Sequence, residues 1–190
     1  DFLIGTQMLA KGLDLPLVTL VGIVLADVGL NFPDYRAAER CFQVLTQVAG
    51  RAGRSPLGGQ VILQTYQPEH PVIQRVAHYD FQGFYNDEIV QRRELGYPPF
   101  TQLVRLEFRH VNFQTAEERA RKMVSLLEKK LCDGQPKEEL RISGPVPPFF
   151  EKEHGYYRQQ IIMRGSHPFD ILRDVPLIDW HVEVNPPDLL

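Results

Sequence analysis

Two arginines stand three positions apart among glycines in QVAGRAGR, residues 47–54, where a helical pattern stops and an apolar strand is about to begin. A guanidinium stays charged and offers a planar fork of N–H donors that can grip two phosphate oxygens at once, which an ammonium cannot copy. Glycines beside it let a backbone come close to a bound group. In that reading Arg51 and Arg54 are held out to meet phosphate. The plainer reading of the same residues is a helix ending, with Gly50 and Gly53 as breakers and the arginines at the negative end of the helix dipole. The elements around the stretch decide which reading has a scaffold.

Residues 2–5, FLIG, read as a short buried strand, and residues 17–26, LVTLVGIVLA, form an almost unbroken apolar run suited to a central parallel strand covered on both faces. After Pro33, Ala38, Cys41, Phe42, Leu45 and Val48 recur at helical spacing, with Asp34 as the expected N-cap. QVILQTY, residues 60–66, is the next strand, so the order is a right-handed βαβ crossover. Three strands make a poor free-standing sheet, and the expectation is the C-terminal part of a larger α/β lobe; a small compact α/β domain is the alternative. GTQMLAKGLDLP, residues 5–16, would then leave the C-terminal edge of the sheet, with QVAGRAGR reaching the same edge.

From Pro68 the texture changes. Two helical patterns follow, the second placing Phe81, Phe84, Tyr85 and Ile89 on one face and stopping at Gly96 before Pro98 and Pro99. Beyond them Val104, Leu106 and Phe108 alternate against Leu103, Arg105 and Glu107, the period of a strand covered on one face. Thr115 and Glu118 read as a capping box opening a helix through Ala116, Ala120, Met123, Leu127 and Leu131. Strand patterns at about 141–149 and 156–163, a short helix near 168–173 and a strand at 180–184 complete a β-α-β-β-α-β order, the ferredoxin-like arrangement. The expected organisation is a partial α/β lobe over 1–66, a helical connector over 67–99 and an α+β domain over 100–190.

Composition narrows the function classes. The chain of 190 residues carries 21 Lys and Arg against 24 Asp and Glu, a net charge of −3, so any nucleic-acid contact must be local rather than a field of the whole molecule. No run approaches the ~18 apolar residues of a membrane span, and no secretory leader is visible. Cys41 and Cys132 lie far apart, and His154, His167 and His181 lack ligand spacing, so no metal site is expected. Two unpaired cysteines in helical patterns suit a cytoplasmic protein. YYRQQ, residues 156–160, reads either as a surface that stacks bases and grips phosphate or as a sheet face with paired side chains. EKEHG, residues 151–155, reads as a hairpin turn.

GT-x₅-GxD at residues 5–14 together with QxxGRxGR at 47–54 resembles motifs V and VI of superfamily 2 helicases, which belong to the second of two RecA-like motor lobes. GLNFPDYRAAER between them and RRELGYPPF after them are similar to the primosomal protein N′ family of replication-restart DNA helicases, and the likeness extends to the closing VNPPDLL. The family commonly has an acidic-Ala-acidic triplet where this chain reads LAD, so Leu25 departs from the pattern and Asp27 keeps it.

The resemblance implies an ATP-driven 3′–5′ DNA helicase that reassembles the primosome at stalled forks, with single-stranded DNA-binding protein and primosome proteins as partners. It implies that Arg54 engages the γ-phosphate as an arginine finger beside Arg51 and that Gln47 orients phosphate or attacking water. Gly50 and Gly53 allow the approach. Thr6 and Gln7 would hold a phosphate of the tracked strand, and Gly12 and Asp14 would sense nucleotide across the cleft. Strand-end capping is the plain reading of Thr6 and Asp14. Lys11 is equally a phosphate contact and a solvated lysine. GxxxxGK[ST] and a DExH-type box do not occur in these residues, so ATP and Mg²⁺ would be bound mainly by another lobe and the isolated piece is expected to be inactive. The family's zinc-binding cysteines are not in this chain. A non-catalytic DNA- or protein-binding module and another superfamily 2 repair translocase are the competing readings; the RRELGYPPF connector speaks against the translocase.

Overall fold

Parallel pairing of β1 (Leu20–Ile23) with β2 (Gln60–Leu63), Leu20 opposite Gln60 and Ile23 opposite Leu63, sets the frame of the first part of the computed structural model. The structure describes residues 2–6, 17–52, 58–133 and 140–189. They form two units, Asp1–Phe32 with Arg36–Ile89, and Val90–Leu190 with Pro33–Tyr35.

In the first unit α1 (Ala37–Ala49) links the two strands and α2 (Pro71–Ala77) and the start of α3 (Phe81–Leu95) follow. Each helix begins for a local reason. Pro71 takes the first position of α2, where its missing N–H costs nothing, and the His70 ring accepts from the Val72 N–H at 3.2 Å. Asp80 accepts from the Gly83 N–H at 2.8 Å ahead of α3. The core is built from Cys41, Phe42 and Leu45 of α1, Val72, Ile73 and Val76 of α2, and Phe84 of α3. Phe42 and Phe84 stack with centroids 4.2 Å apart and planes 6° apart.

Several sequence expectations change here. FLIG forms no strand, and Phe2 is 98% exposed. The apolar run 17–26 pairs only over Leu20–Ile23 and is covered on one face. Ile23 and Leu63 pack on the core, while Leu20 and Ile62 stand exposed, because the helices lie on a single side. Asp34 does not cap α1. Arg36 occupies that position and its side chain makes no capping bond. In α3 only Phe84 is buried; Phe81 and Tyr85 remain exposed.

The second unit is a sheet in the order β4-β6-β3-β7, with β3 at Gln102–His110, β4 at Arg141–Val146, β6 at Tyr156–Gly165 and β7 at Trp180–Val184, every neighbour antiparallel. A short β5 (Lys152–Glu153) returns into β6 through His154 and Gly155, both with positive φ as a two-residue hairpin turn requires. α4 (Phe113–Asp133) lies on one face, where Met123, Val124 and Leu127 meet Val104, Leu106, Ile161 and Met163. α4 opens differently from the expected capping box. Asn112 accepts from the Thr115 N–H at 3.1 Å, so Thr115 already sits inside the helix. The expected second helix is a single 3-10 turn, Asp170–Leu172.

The opposite sheet face is polar. Arg105 binds Glu183 and the Asp188 carbonyl, and Glu107 holds Arg158 at 2.8 Å and Arg109. Glu107 is 1% exposed. Burial pushes its carboxyl up, but bonds from Arg158 and Arg109 outweigh that and hold it below the ordinary glutamate range.

Candidate functional site

The last turn of α1 carries Gln47 on its exposed side and ends at Ala49. Gly50 caps it with φ −62° and ψ −10°, a helical conformation, so glycine is not needed there for a left-handed turn; its N–H donates to the Thr46 carbonyl at 2.9 Å. The Arg51 N–H donates to Val48 at 3.1 Å, and Arg51 is half-buried. The helix ends at Gly50, as the sequence suggested, with its last bond tightened to Val48.

What glycine does provide is found at Gly59. A β-carbon there would lie 2.0 Å from the carbonyl oxygen of Ala52 and 2.6 Å from its carbon. Ala52 is buried, so the chain that leaves after it returns through a neck only a glycine fits. Substitution Gly59→Ala is expected to destabilise the first unit by about 1–3 kcal/mol, the usual cost of forced overpacking. Urea unfolding of the chain monitored by circular dichroism checks this, and an unchanged midpoint would contradict the neck.

The neck also fixes an edge. The Gln60 N–H donates to the Thr19 carbonyl at 2.8 Å, directly ahead of both strands. Because α1 runs back against the strands, Gln47, Gly50 and Arg51 arrive at their N-terminal ends, not at the C-terminal edge expected from the sequence. Residues 17–19, which directly follow the GTQMLAKGLDLP stretch, lead into β1 at those same ends. Thr6 lies exposed in the irregular segment 2–6. Gln7, Lys11, Gly12, Asp14, Gly53 and Arg54 fall outside the described residues.

The C-terminal ends of the strands are closed by Asp27. Its carboxylate accepts from the Thr65 hydroxyl at 3.0 Å and the Tyr66 N–H at 3.3 Å. Burial raises its pKa, and the bonds from its own N–H, Thr65 and Tyr66 together bring it below the ordinary aspartate value. Leu25, in the first acidic place of the family's triplet, has φ 54° and points to solvent. Next to this clamp the buried Cys41 thiol donates to the Ala26 carbonyl at 3.4 Å; burial, then the Asp27 charge, pushes its pKa up to about 11. A thiol so far above neutral pH is a packing group. Asp27 and Gly59 were not singled out as scaffold residues in the sequence, since their partners are 38 residues and a loop away.

YYRQQ resolves into the paired sheet face. Tyr157 meets Phe113 edge-on and carries Lys152 over its ring, and Arg158 is committed to Glu107. Among the described residues no group of three or more His, Cys, Asp or Glu could hold a metal ion, and no helix is long and apolar enough to cross a membrane.

Residues 93–175 match the family model described as the primosomal protein N C-terminal domain. The chain is 48% identical over 164 residues to the replication restart protein PriA of Synechocystis, covering 86% of this chain and 19% of that protein. It is 43% identical over 175 residues to the Treponema pallidum protein of the same name, covering 92% and 26%, and 43% identical over 164 residues to that of Bacillus subtilis, covering 86% and 20%. The chain thus spans between 19% and 26% of the length of these relatives.

Proposed function

We propose, for a chain that belongs to the replication restart protein PriA family, that it is the C-terminal part of an ATP-dependent 3′–5′ DNA helicase acting in primosome assembly. Residues 1–66 would be the end of a RecA-like motor lobe, and the second unit a ferredoxin-like domain whose second helix has shrunk to one turn. The observation that supports this reading is the β1-α1-β2 crossover: Gly59 lies against Ala52 just after α1, and the Gln60 N–H donates to the Thr19 carbonyl, so residues 58–59 and 17–19 enter the two parallel strands side by side.

Phosphoryl transfer to water is helped mainly by positioning and by charge placed against the developing negative oxygens. Arg54 supplies that charge in trans with Arg51 assisting, Gln47 in the last turn of α1 orients phosphate or attacking water, and Gly53 gives clearance. Gly12 and Asp14 pass the nucleotide state to Thr6, Gln7 and Lys11 on a DNA phosphate. ATP and Mg²⁺ are held mainly by another lobe of the full-length protein.

The test is the coupling itself. In the full-length protein Thr6→Ala is expected to cut the stimulation of ATP hydrolysis by DNA about tenfold, while turnover without DNA changes less than twofold. Equal stimulation in variant and parent would refute the assignment of Thr6.

A further inference from the structure

We infer that the cleft between the C-terminal end of α3 and the β4–β6 edge of the second unit is a phosphate subsite for a single DNA strand. The cleft is lined by Arg93, Glu94, Gly96, Arg141, Arg164 and Ser166, among others. The inference rests on the DNA-dependent reading above and assigns it a place on this unit.

The arginines there are unlike the others on the sheet. On the same polar face Arg105 has Glu183, Arg109 has Glu107, and Arg158 has Glu107 and Glu153. Arg93, Arg141 and Arg164 pair with no carboxylate among the described residues. Arg141 and Arg164 are also direct cross-strand partners, an arrangement in which like charges oppose folding. Three guanidiniums against Glu94 leave an uncompensated charge of +2 within one cleft of a chain whose net charge is −3. At physiological salt the Debye length is about 8 Å, so a ligand at the cleft feels these groups rather than the total.

Two of the three are held ready. The Arg164 guanidinium lies 5.0 Å from the Tyr97 ring centroid and that of Arg93 lies 4.7 Å from Phe100. Tyr97 is itself stacked on Tyr35 at 5.2 Å with planes 15° apart. Stacking fixes a guanidinium plane while its N–H edges stay available for a bidentate acceptor. Gly96 shapes the rim of the cleft. It turns the chain at φ 63° after α3, and a β-carbon there would sit 4.0 Å from the Arg164 Nε. The Thr101 hydroxyl donates to the Gly96 carbonyl at 2.6 Å and pins that turn.

The lining also chooses between anions. An acidic peptide needs apolar wall for its side chains, and Leu95 is the single aliphatic lining residue. Backbone at Gly96 and Gly165 with guanidinium edges suits a phosphodiester.

The experiment uses the 190-residue chain and a fluorescent twenty-nucleotide oligothymidylate, with anisotropy read at 50, 100 and 200 mM NaCl. Arg141→Glu places a carboxylate opposite Arg164, so it is expected to raise the unfolding midpoint or leave it unchanged while weakening binding at least tenfold. A merely structural role would move both together. Arg93→Gln is expected to flatten the log–log salt slope by about 0.7, one single-strand phosphate contact. Unchanged affinity and slope in both variants would overturn the subsite, as would absence of binding by the parent chain. Loss by Arg141→Glu of binding to an acidic decapeptide with a free carboxylate, with oligothymidylate binding intact, would overturn it in favour of a peptide. None of these outcomes bears on ATP turnover, which tests the helicase reading separately.

Discussion

Replacing Arg54 by alanine in the full-length protein is expected to lower DNA-stimulated ATP turnover by about 10³-fold, the lower end of what an arginine finger contributes. DNA affinity should change less than twofold, because the residue is assigned to the transferring phosphate and not to the strand. Arg54→Lys should recover little. A lysine brings the charge but not the planar fork, and in the proposed role the residue places two donors against oxygens whose charge grows only in the transition state. Gln47, Gly50 and Arg51 are fixed by the last bonds of α1, and the Ala52–Gly59 neck holds the two points from which residues 53–57 depart and return. Steady-state kcat with saturating single-stranded DNA, alongside anisotropy for affinity, separates the cases. A kcat within threefold of the parent would remove Arg54 from the chemistry.

Glu107→Ala is expected to destabilise the second unit by about 3–5 kcal/mol, since it strips the principal partner from a buried guanidinium. What the described residues still offer Arg158 is weaker: Glu153 at 3.6 Å and the charge of Asp188. Combining Glu107→Ala with Arg158→Met should restore much of the loss, because an apolar pair avoids the desolvation cost altogether. The pH dependence has a definite sign. The folded pKa of Glu107 lies below the ordinary value of 4.5, so the unfolded chain takes up the proton first. The stabilisation is complete above about 4.5 and is lost as pH falls through the lower folded value. Urea midpoints measured between pH 7 and pH 3 should fall for the parent and change less for Glu107→Ala.

Periodicity made the elements of the second unit readable because each strand there has one apolar and one polar face. Val104, Leu106 and Phe108 alternate with Arg105 and Glu107, and the sheet places them accordingly. The first unit was harder. LVTLVGIVLA carries no alternation, so nothing in it marks that only Leu20–Ile23 pairs or that Leu20 faces outward. The edge reached by Gln47 and Arg51 follows from the direction of α1, which the pattern of a single helix does not encode. The Gly59 neck and the Arg141–Arg164 opposition depend on close approaches between segments apart in sequence. A glycine-rich stretch shows that something is tight there, but not what it is tight against.

The two-faced character of β6 has a consequence for how the domain is assembled. Moving that strand along β3 by one position would bury Arg158 and Arg164 beneath α4 and turn Ile161 and Met163 toward water. Each misaligned pairing of β6 with β3 would therefore carry unneutralised cations into an oily layer, and the strand has a strong incentive to unzip and try again. The charged face acts as a proofreader of the sheet: it penalises the wrong registers heavily.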